Sequence, residues 1–287
     1  MKVAIASGKG GTGKTTLSSN LASYLSESED VVLVDLDVEE PNSSLFISVE
    51  EISKKEIFKM VPSVDLDKCT FCGMCNDNCR FNAIISLDDD VLVFPDLCHS
   101  CYACADLCKS NAISMIPVRN GVLTHMRDDA LSFIESRLDV GQEQSIPLIK
   151  QTLDYVDEKF SDDTIILLDS PPGTSCPVIE VTKDADYVIL VTEPTPFGLH
   201  DLKIAVETMR ILNKDFGVVA NRYGLGNDDL IEYCRTENIP LLAKIANDKR
   251  VAELYSKGSL LYNHIPDVKQ QLDLVISSIK KKKGQCS

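Results

Sequence analysis

Residues 2–16 read KVAIASGKGGTGKTT, and this stretch decides the fold of the 287-residue chain. A β-prone run, 2–7, leads into GKGGTGKT at 8–15, which matches G-x-x-x-x-G-K-[ST] and opens a helical segment at 14–25. Glycines let backbone N–H groups approach phosphate oxygens closely, and the helix N-terminus adds a favourable dipole. We therefore expect Lys14 to reach the β- and γ-phosphates and the Thr15 hydroxyl to bind Mg²⁺.

Continuous apolar runs elsewhere in the chain predict further buried parallel strands, at 31–35, 165–169, 187–192 and 216–220. Amphipathic helical segments separate them, near 146–160, 199–212, 228–237 and 248–256. Alternating strands and helices are typical of an α/β fold. The sequence therefore predicts a doubly wound, mainly parallel sheet that carries the phosphate-binding loop.

Eight of the eleven cysteines lie between Cys69 and Cys108, in an internal repeat. CTFCGMCNDNCRFNAI starts at Cys69 and CHSCYACADLCKSNAI starts at Cys98, so that four cysteines and an Asn-Ala-Ile ending coincide at an offset of 29. No signal peptide is visible, and we therefore expect a cytoplasmic location. In a reducing compartment, clustered cysteines more often bind metal than form disulfides.

The repeated spacing C-x₂-C-x₂-C-x₃-C is typical of bacterial ferredoxins, in which the fourth cysteine ligates the other cluster. It predicts one [4Fe–4S] cluster on Cys69, Cys72, Cys75 and Cys108, and a second on Cys79, Cys98, Cys101 and Cys104. Zinc is the alternative, although zinc motifs usually come as separated C-x₂-C pairs. We predict an inserted ferredoxin domain at 64–117 and a discontinuous ATPase domain at 1–63 and 118–287.

The charge balance is acidic, with 44 Asp+Glu against 29 Lys+Arg and a net charge of -15. The segment 64–117 alone holds 8 Asp, no Glu and 3 Lys+Arg. This balance argues against nucleic-acid binding through a broad basic face. The apolar runs fall short of the roughly 18 residues of a membrane span. Attachment through the basic tail at 279–287 is the minority alternative, since it would need a stronger amphipathic helix before the tail. An acidic insertion instead predicts a protein partner with a basic docking patch.

A second lysine, Lys9, gives the loop the pattern K-G-G-T-G-K-T-T. This pattern resembles the deviant Walker A motif of the MinD/ParA/nitrogenase-iron-protein class of P-loop ATPases. In that class, the extra lysine reaches across a nucleotide-sandwich homodimer to the partner's phosphates. The resemblance therefore implies ATP and Mg²⁺ as cofactors, a homodimer on ATP binding, and catalytic roles for Lys9 and Lys14.

Other landmarks of this class follow in order along the chain. By resemblance, Asp37 positions the attacking water and Asp35 and Asp169 support the Mg²⁺ shell. Asn221 and Arg222 resemble the adenine-reading position, and Asp248 lies in a segment that resembles the loop over the adenine, although Ala246 replaces its usual proline. The implied nucleotide contacts are Gly8, Lys9, Gly10, Gly11, Thr12, Gly13, Lys14, Thr15, Thr16, Asn221, Arg222 and Asp248; the implied Mg²⁺ set is Thr15, Asp35, Asp37 and Asp169.

Cys176 lies seven residues after Asp169, the offset at which the nitrogenase iron protein carries a ligand of a cluster shared across its dimer. Because no partner cysteine is evident in the sequence, a thiol without a metal role is favoured, and a metal-binding thiol at the dimer interface is the alternative hypothesis.

Together, the two motif sets resemble a MinD-superfamily ATPase with an inserted two-cluster ferredoxin domain. The function that this architecture implies is ATP-gated electron transfer to a redox or metallocluster partner. Assembly or delivery of an iron–sulfur or other metal cofactor is the alternative, and a positioning switch like MinD is the third class.

Overall fold

The computed structural model describes residues 1–129 and 131–286, without the side chains of Gln285 and Cys286. The predicted domain 118–287 thus includes two residues, Ala130 and Ser287, outside the described part. The strands are β1 (Lys2–Ala6), β2 (Val31–Asp35), β3 (Glu50–Val64), β4 (Ile84–Ser86), β5 (Val91–Val93), β6 (Ile113–Asp128), β7 (Leu131–Leu138), β8 (Ile165–Asp169), β9 (Tyr187–Thr192), β10 (Phe216–Tyr223) and β11 (Leu241–Ala246).

From β7 to the end of the chain, a helix follows each strand, whereas the described residues form no α-helix between β2 and β3 or between β6 and β7. The helices are α1 (Lys14–Leu25), α2 (Met74–Asp77), α3 (Ala103–Asp106), α4 (Ile146–Lys159), α5 (Cys176–Thr182), α6 (Pro196–Ile211), α7 (Asp229–Thr236), α8 (Lys249–Ser256) and α9 (Pro266–Cys286). Within residues 1–129 and 131–286, each helix is too short or too polar to cross a bilayer.

The main sheet has the strand order β11-β10-β9-β1-β8-β2-β7-β6-β3. Pairing is parallel from β11 to β7 and antiparallel from β7 through β6 to β3. Side chains of β1 alternate between two cores, because Val3 and Ile5 pack with residues of α1 and α9, whereas Ala4 and Ala6 pack with residues of α4 to α7. The predicted doubly wound, mainly parallel sheet is therefore confirmed.

The two outer strands form a hairpin that the sequence analysis missed. β3 and β6 pair over almost their whole length, from Glu50 opposite Arg127 to Val64 opposite Ile113. The first seven residues of β3 are all exposed, so their mixed charges show neither an apolar run nor a clean alternation. The cysteine-rich segment lies at the far end of this hairpin, and β6 begins at Ile113, inside the predicted insertion boundary at 117.

The internal repeat of the cysteine-rich segment is also a repeat of backbone conformation. Helices α2 and α3 are four residues each and are offset by 29. Residues in the left-handed region follow the same offset, in the pairs Phe71 and Ser100, Gly73 and Tyr102, and Asn82 and Asn111. The second half holds a tyrosine where the first has glycine, so the surrounding structure must impose this conformation on a residue that disfavours it.

Candidate functional site

A cavity of about 560 Å³ lies where the parallel strands end at their carboxyl side. This edge is where open α/β sheets bind ligands, and the volume is in the range of small-molecule sites. The predicted residues that line it are Gly10, Gly11, Gly13, Lys14, Thr15, Thr16, Asp37, Asn221, Arg222 and Asp248. The described residues that line the cavity do not include Gly8, Lys9, Thr12, Asp35 or Asp169.

The phosphate-binding loop is held by a contact from the end of β10. Asn221 Nδ2 donates a hydrogen bond to the carbonyl oxygen of Thr12 at 2.7 Å. Gly13 has φ +96°, and a Cβ there would lie 2.2 Å from the same Nδ2 atom. Only glycine suits this position, since a side chain would meet both backbone strain and a clash. Asn221 therefore shapes the loop as well as lining the cavity.

Asp35 organises the loop that follows β2. The carboxylate is 1% exposed, and its Oδ1 accepts from the backbone N–H of Asp37 at 3.1 Å. Its Oδ2 accepts from the N–H groups of Asn42 at 3.0 Å and Ser43 at 2.9 Å. Three N–H donors on one buried carboxylate set the path of residues 37–43, which places Asp37 on the cavity wall.

Asp169, at the end of β8, presents an oxygen that fits a magnesium-bound water. Oδ2 contacts the Ser43 hydroxyl at 3.4 Å, while Oδ1 is buried and has no hydrogen-bond partner among the described residues. Burial raises the pKa of Asp169, the Asp35 carboxylate raises it further, and the Lys14 ammonium opposes both. Because a buried oxygen without a partner is costly, a cation or its water beside Thr15 would satisfy this site.

Asp37 is half-buried against the nucleotide cavity. Burial and the nearby Asp35 carboxylate raise the pKa of Asp37 from 3.8 to about 6, and Lys14 acts in the opposite direction. A pKa near neutrality suits a group that orients or deprotonates a water molecule. The predicted role of Asp37 is consistent with this position and this electrostatic environment.

Glu193, which the sequence analysis missed, binds the second lysine of the loop. Lys9 Nζ donates to Glu193 Oε1 at 2.5 Å, and Arg222 Nη1 donates to Oε2 at 3.0 Å. Glu193 is 8% exposed and directly follows β9. A signal was available in the sequence, because Glu193, like Asp35 and Asp169, is a carboxylate at the carboxyl end of a predicted parallel strand, where ligands gather in open α/β sheets.

Two predicted residues lie at helix N-termini. Asp248 lines the cavity but also caps α8, accepting from the Arg250 backbone N–H at 2.8 Å and pairing with its guanidinium at 2.5 Å. Cys176 is the first residue of α5 and is exposed. Asp248 therefore shapes the wall of the nucleotide cavity, and Cys176 is accessible on the surface of the protomer.

The cysteine-rich segment contains two small cavities, each lined by four cysteines. Cys69, Cys72, Cys75 and Cys108 line the first cavity. Cys79, Cys98, Cys101 and Cys104 line the second. The structure thus brings together the two sets that the spacing predicted, including the exchange of the fourth cysteine between the halves of the repeat.

The exchanged cysteines have equivalent surroundings in the two halves. The N–H of Ala83 donates to Cys79 Sγ, and the N–H of Ala112 donates to Cys108 Sγ, both at 3.3 Å. Within the described chain, no three His, Cys, Asp or Glu side chains are grouped closely enough to hold one metal ion. A [4Fe–4S] cluster is bound differently, with one thiolate on each of four irons, so four cysteines around a cavity fit its ligation.

Comparison with known proteins gives the chain a family. The model of the CobQ/CobB/MinD/ParA nucleotide binding domain matches residues 3–261. Two uncharacterized Methanocaldococcus jannaschii proteins are similar: MJ0579 is 34% identical over 268 residues, which are 92% of this chain and 93% of that protein. MJ0578 is 35% identical over 230 residues, which are 79% and 80% of the two chains.

Solved structures share the fold at lower identity. The Pyrococcus furiosus cell division ATPase MinD has a TM-score of 0.59 and 21% identity, covering 97% of this chain and 98% of that chain. MinD of Pyrococcus horikoshii, complexed with Mg-ADP, has a TM-score of 0.58 and 20% identity, covering 95% and 93%. The family model spans the phosphate-binding loop and nearly all of the sheet, and the chain therefore belongs to the CobQ/CobB/MinD/ParA nucleotide-binding family.

Proposed function

We propose that this protein is an ATP-hydrolysing iron–sulfur protein that transfers electrons to a redox or metallocluster partner under the control of nucleotide. One observation carries the proposal: the chain that encloses a nucleotide cavity also encloses two four-cysteine cavities, and the hairpin β3–β6 joins them. A nucleotide switch alone has no use for two electron-accepting sites in one small segment.

The nucleotide cavity contains the groups that phosphoryl transfer to water requires. Lys14 and the loop N–H groups bind the phosphates, and Thr15 with Asp169 would hold Mg²⁺, whose charge stabilises the triphosphate. Asp37 orients the attacking water, and its pKa of about 6 leaves it ionised at neutral pH. The related fold of the Pyrococcus horikoshii protein with Mg-ADP supports this assignment of the cavity.

Dimerisation would complete the site. Lys9 does not line the nucleotide cavity of its own protomer and is bound to Glu193 instead. In a nucleotide-sandwich dimer, the partner subunit's Lys9 would supply the missing positive charge to the phosphates. ATP binding then favours the closed dimer, because the phosphates attract both lysines only when the two protomers meet.

The two four-cysteine cavities would hold [4Fe–4S] clusters, which supply two neighbouring one-electron acceptor sites. The chain's part is to bind each cluster through four thiolates and to donate N–H hydrogen bonds to the sulfurs. A reduced low-potential carrier protein would donate one electron at a time, and the metallocluster partner would accept it.

Two hydrogen bonds connect the loop 37–43, which follows β2, to the cysteine-rich segment. The N–H of Leu138 donates to the carbonyl oxygen of Val38, next to Asp37, at 2.9 Å. Residues 139–145 follow, and in this segment Gln144 Nε2 donates to the carbonyl oxygen of Asp96 at 3.3 Å. A movement of the loop 37–43 would therefore displace residues 139–145 and, through Gln144, the segment that precedes Cys98.

The surface of the insertion suits a protein partner that is basic and partly apolar. Its 8 Asp coincide with exposed apolar side chains at Leu66, Met74, Phe81, Ile85, Leu87, Leu92, Phe94, Leu97, Tyr102 and Leu107. Acidic charge steers a basic partner, and the exposed apolar area adds affinity on contact. Association should therefore slow as ionic strength rises, and a rate independent of salt would contradict this docking mode.

The deciding experiment is anaerobic purification of the full chain with measurement of iron, sulfide and EPR spectra. We expect roughly eight irons per chain and a signal after one-electron reduction. Binding partners are then captured on the purified protein with and without a non-hydrolysable ATP analogue. Lys14→Ala is the control, because this variant should not bind the nucleotide. Absence of iron and sulfide refutes the proposal, whereas a labile cluster transferred to an apo-protein favours cofactor assembly and nucleotide-dependent lipid binding favours a positioning switch.

A further inference from the structure

A lysine is buried where the ATPase core meets the cysteine-rich segment. Ile57, Lys59 and Val61 lie at alternate positions on the inward face of β3. Ile57 belongs to the core formed with α4 to α7, and Val61 packs with Ala83 and Cys98. Lys59, between them, is 1% exposed, so its whole side chain is enclosed at the junction of the two packed regions.

The ammonium of Lys59 is not neutralised by a direct contact. In the part of the chain that the structure describes, Nζ is buried without a hydrogen-bond partner. Burial lowers the pKa of Lys59, whereas the nearby Asp96, Cys98 and Glu143 side chains act in the opposite direction and favour the charged ammonium. Burial of an ammonium without a bonded partner is costly, which makes its retention here hard to explain by packing alone.

The adjacent backbone ties this lysine to the second four-cysteine cavity. The carbonyl oxygen of Met60 accepts from the hydroxyl of Ser100, which lies between Cys98 and Cys101, at 2.8 Å. Pro62 lines the second cavity, whereas the first cavity meets β3 only at Val64. The described residues that line the first cavity include no lysine, arginine or histidine. Lys68 and Lys109, which adjoin Cys69 and Cys108 of the first set, are exposed to solvent, so the two sites differ in nearby buried positive charge.

Resting on the function proposed above, we propose that Lys59 raises the reduction potential of the cluster held by Cys79, Cys98, Cys101 and Cys104 relative to its neighbour. One-electron reduction adds one negative charge to that site and neither forms nor breaks a bond. A buried cation at short range stabilises the added charge, and low local polarity strengthens the effect. The site nearer the ATPase core would then hold the electron between partner contacts.

The test is an EPR-monitored redox titration of the anaerobically purified full chain, with dithionite as electron donor. Lys59→Met and Lys59→Gln remove the charge, Lys59→Arg keeps it, and Lys55→Met removes an exposed lysine from the same strand. In the neutral variants, we expect the equilibrium constant for reduction of the cluster on Cys79, Cys98, Cys101 and Cys104 to fall about tenfold. This change lowers its reduction potential by about 59 mV for one electron. The reduction potential of the other cluster should not change. In Lys59→Arg and Lys55→Met, both potentials should match those of the wild type.

Each other outcome has a distinct meaning. A wild-type chain without clusters overturns the proposed function and this inference together. Clusters with unchanged potentials in the neutral variants overturn the inference alone. Loss of one cluster from both neutral variants also overturns it, because Lys59 would then be needed for cluster binding rather than for the potential.

Discussion

Lys9 Nζ lies 2.5 Å from Glu193 Oε1 within a single protomer. The lysine expected to act on the partner's nucleotide is thus bound to a nearly buried carboxylate of its own chain, which also binds Arg222. In the dimer proposed above, Lys9 would exchange this ion pair for the partner's phosphates. Glu193 would then oppose dimerisation until nucleotide is bound.

Neutralising this carboxylate should ease dimerisation. In Glu193→Gln, the neutral side chain holds Lys9 more weakly, so Lys9 moves to the partner's phosphates at a lower cost in free energy. We therefore expect the dissociation constant of the ATP-bound dimer to fall about three- to tenfold, an effect of the size of one partly exposed ion pair. Sedimentation velocity with and without ATP measures the effect. Glu180→Gln is the matched control, because Glu180 pairs with Lys183 at similar burial and both line a different cavity. An unchanged or weaker dimer in Glu193→Gln would contradict the assigned role.

Substitution of the two lysines in the phosphate-binding loop should impair different steps, namely nucleotide binding for Lys14 and dimerisation for Lys9. Lys14 lines the nucleotide cavity, so Lys14→Ala should weaken binding of a fluorescent ADP analogue at least about tenfold. Lys9→Ala should bind the analogue nearly as wild type, yet lose the ATP-dependent dimer and slow hydrolysis about 100-fold. Equal losses of ADP binding in the two variants would show that Lys9 acts within its own protomer.

The raised pKa of Asp37 predicts a pH effect on stability in the nucleotide-free protein. A carboxyl group with pKa about 6 in the folded chain and 3.8 unfolded binds its proton more tightly when folded. It therefore stabilises the fold fully below about pH 4, and this contribution is lost as pH rises towards about pH 6. Thermal unfolding by circular dichroism should show a smaller decline in Tm over this window for Asp37→Asn.

The control for this effect is Asp88→Asn, which removes an exposed carboxylate in the insertion. Its Tm profile should parallel that of the wild type at equal iron content. Parallel profiles for Asp37→Asn and wild type would exclude a raised pKa for Asp37.

Pairs of cysteine substitutions should reveal which thiols share a cluster. Cys79→Ser with Cys98→Ser removes two residues from one cavity, so about half of the wild-type iron should remain. Cys79→Ser with Cys69→Ser removes one residue from each cavity, and almost no iron should remain. Cys234→Ser, at a buried position away from both cavities, is the control for general damage. The reverse pattern would assign each fourth cysteine to its own half of the repeat.

The parts of the protein that follow from sequence alone are those in which neighbours along the chain act together. Residues 8–15 form a loop whose backbone conformation is local, and Gly13 at φ +96° is one of the residues that permits it. The cysteine spacing is local in the same sense, and its repeat even predicted the exchange of Cys79 and Cys108 between cavities. Buried parallel strands were predicted because burial on both faces leaves a continuous apolar run.

Tertiary structure decided the features that depend on residues far apart in sequence. β3 was missed because its exposed half carries mixed charges, and only pairing with β6 stabilises it as a strand. Glu193 meets Lys9 across 184 positions, since the order of β1 and β9 in the sheet makes their ends neighbours. Lys59 resembles any surface lysine in sequence, yet the packing of Ile57 and Val61 on either side encloses it. Short sequence motifs thus identify the phosphate-binding loop and the two cysteine sets. Strand order and register determine which charged side chains, such as Glu193 and Lys59, lie beside them.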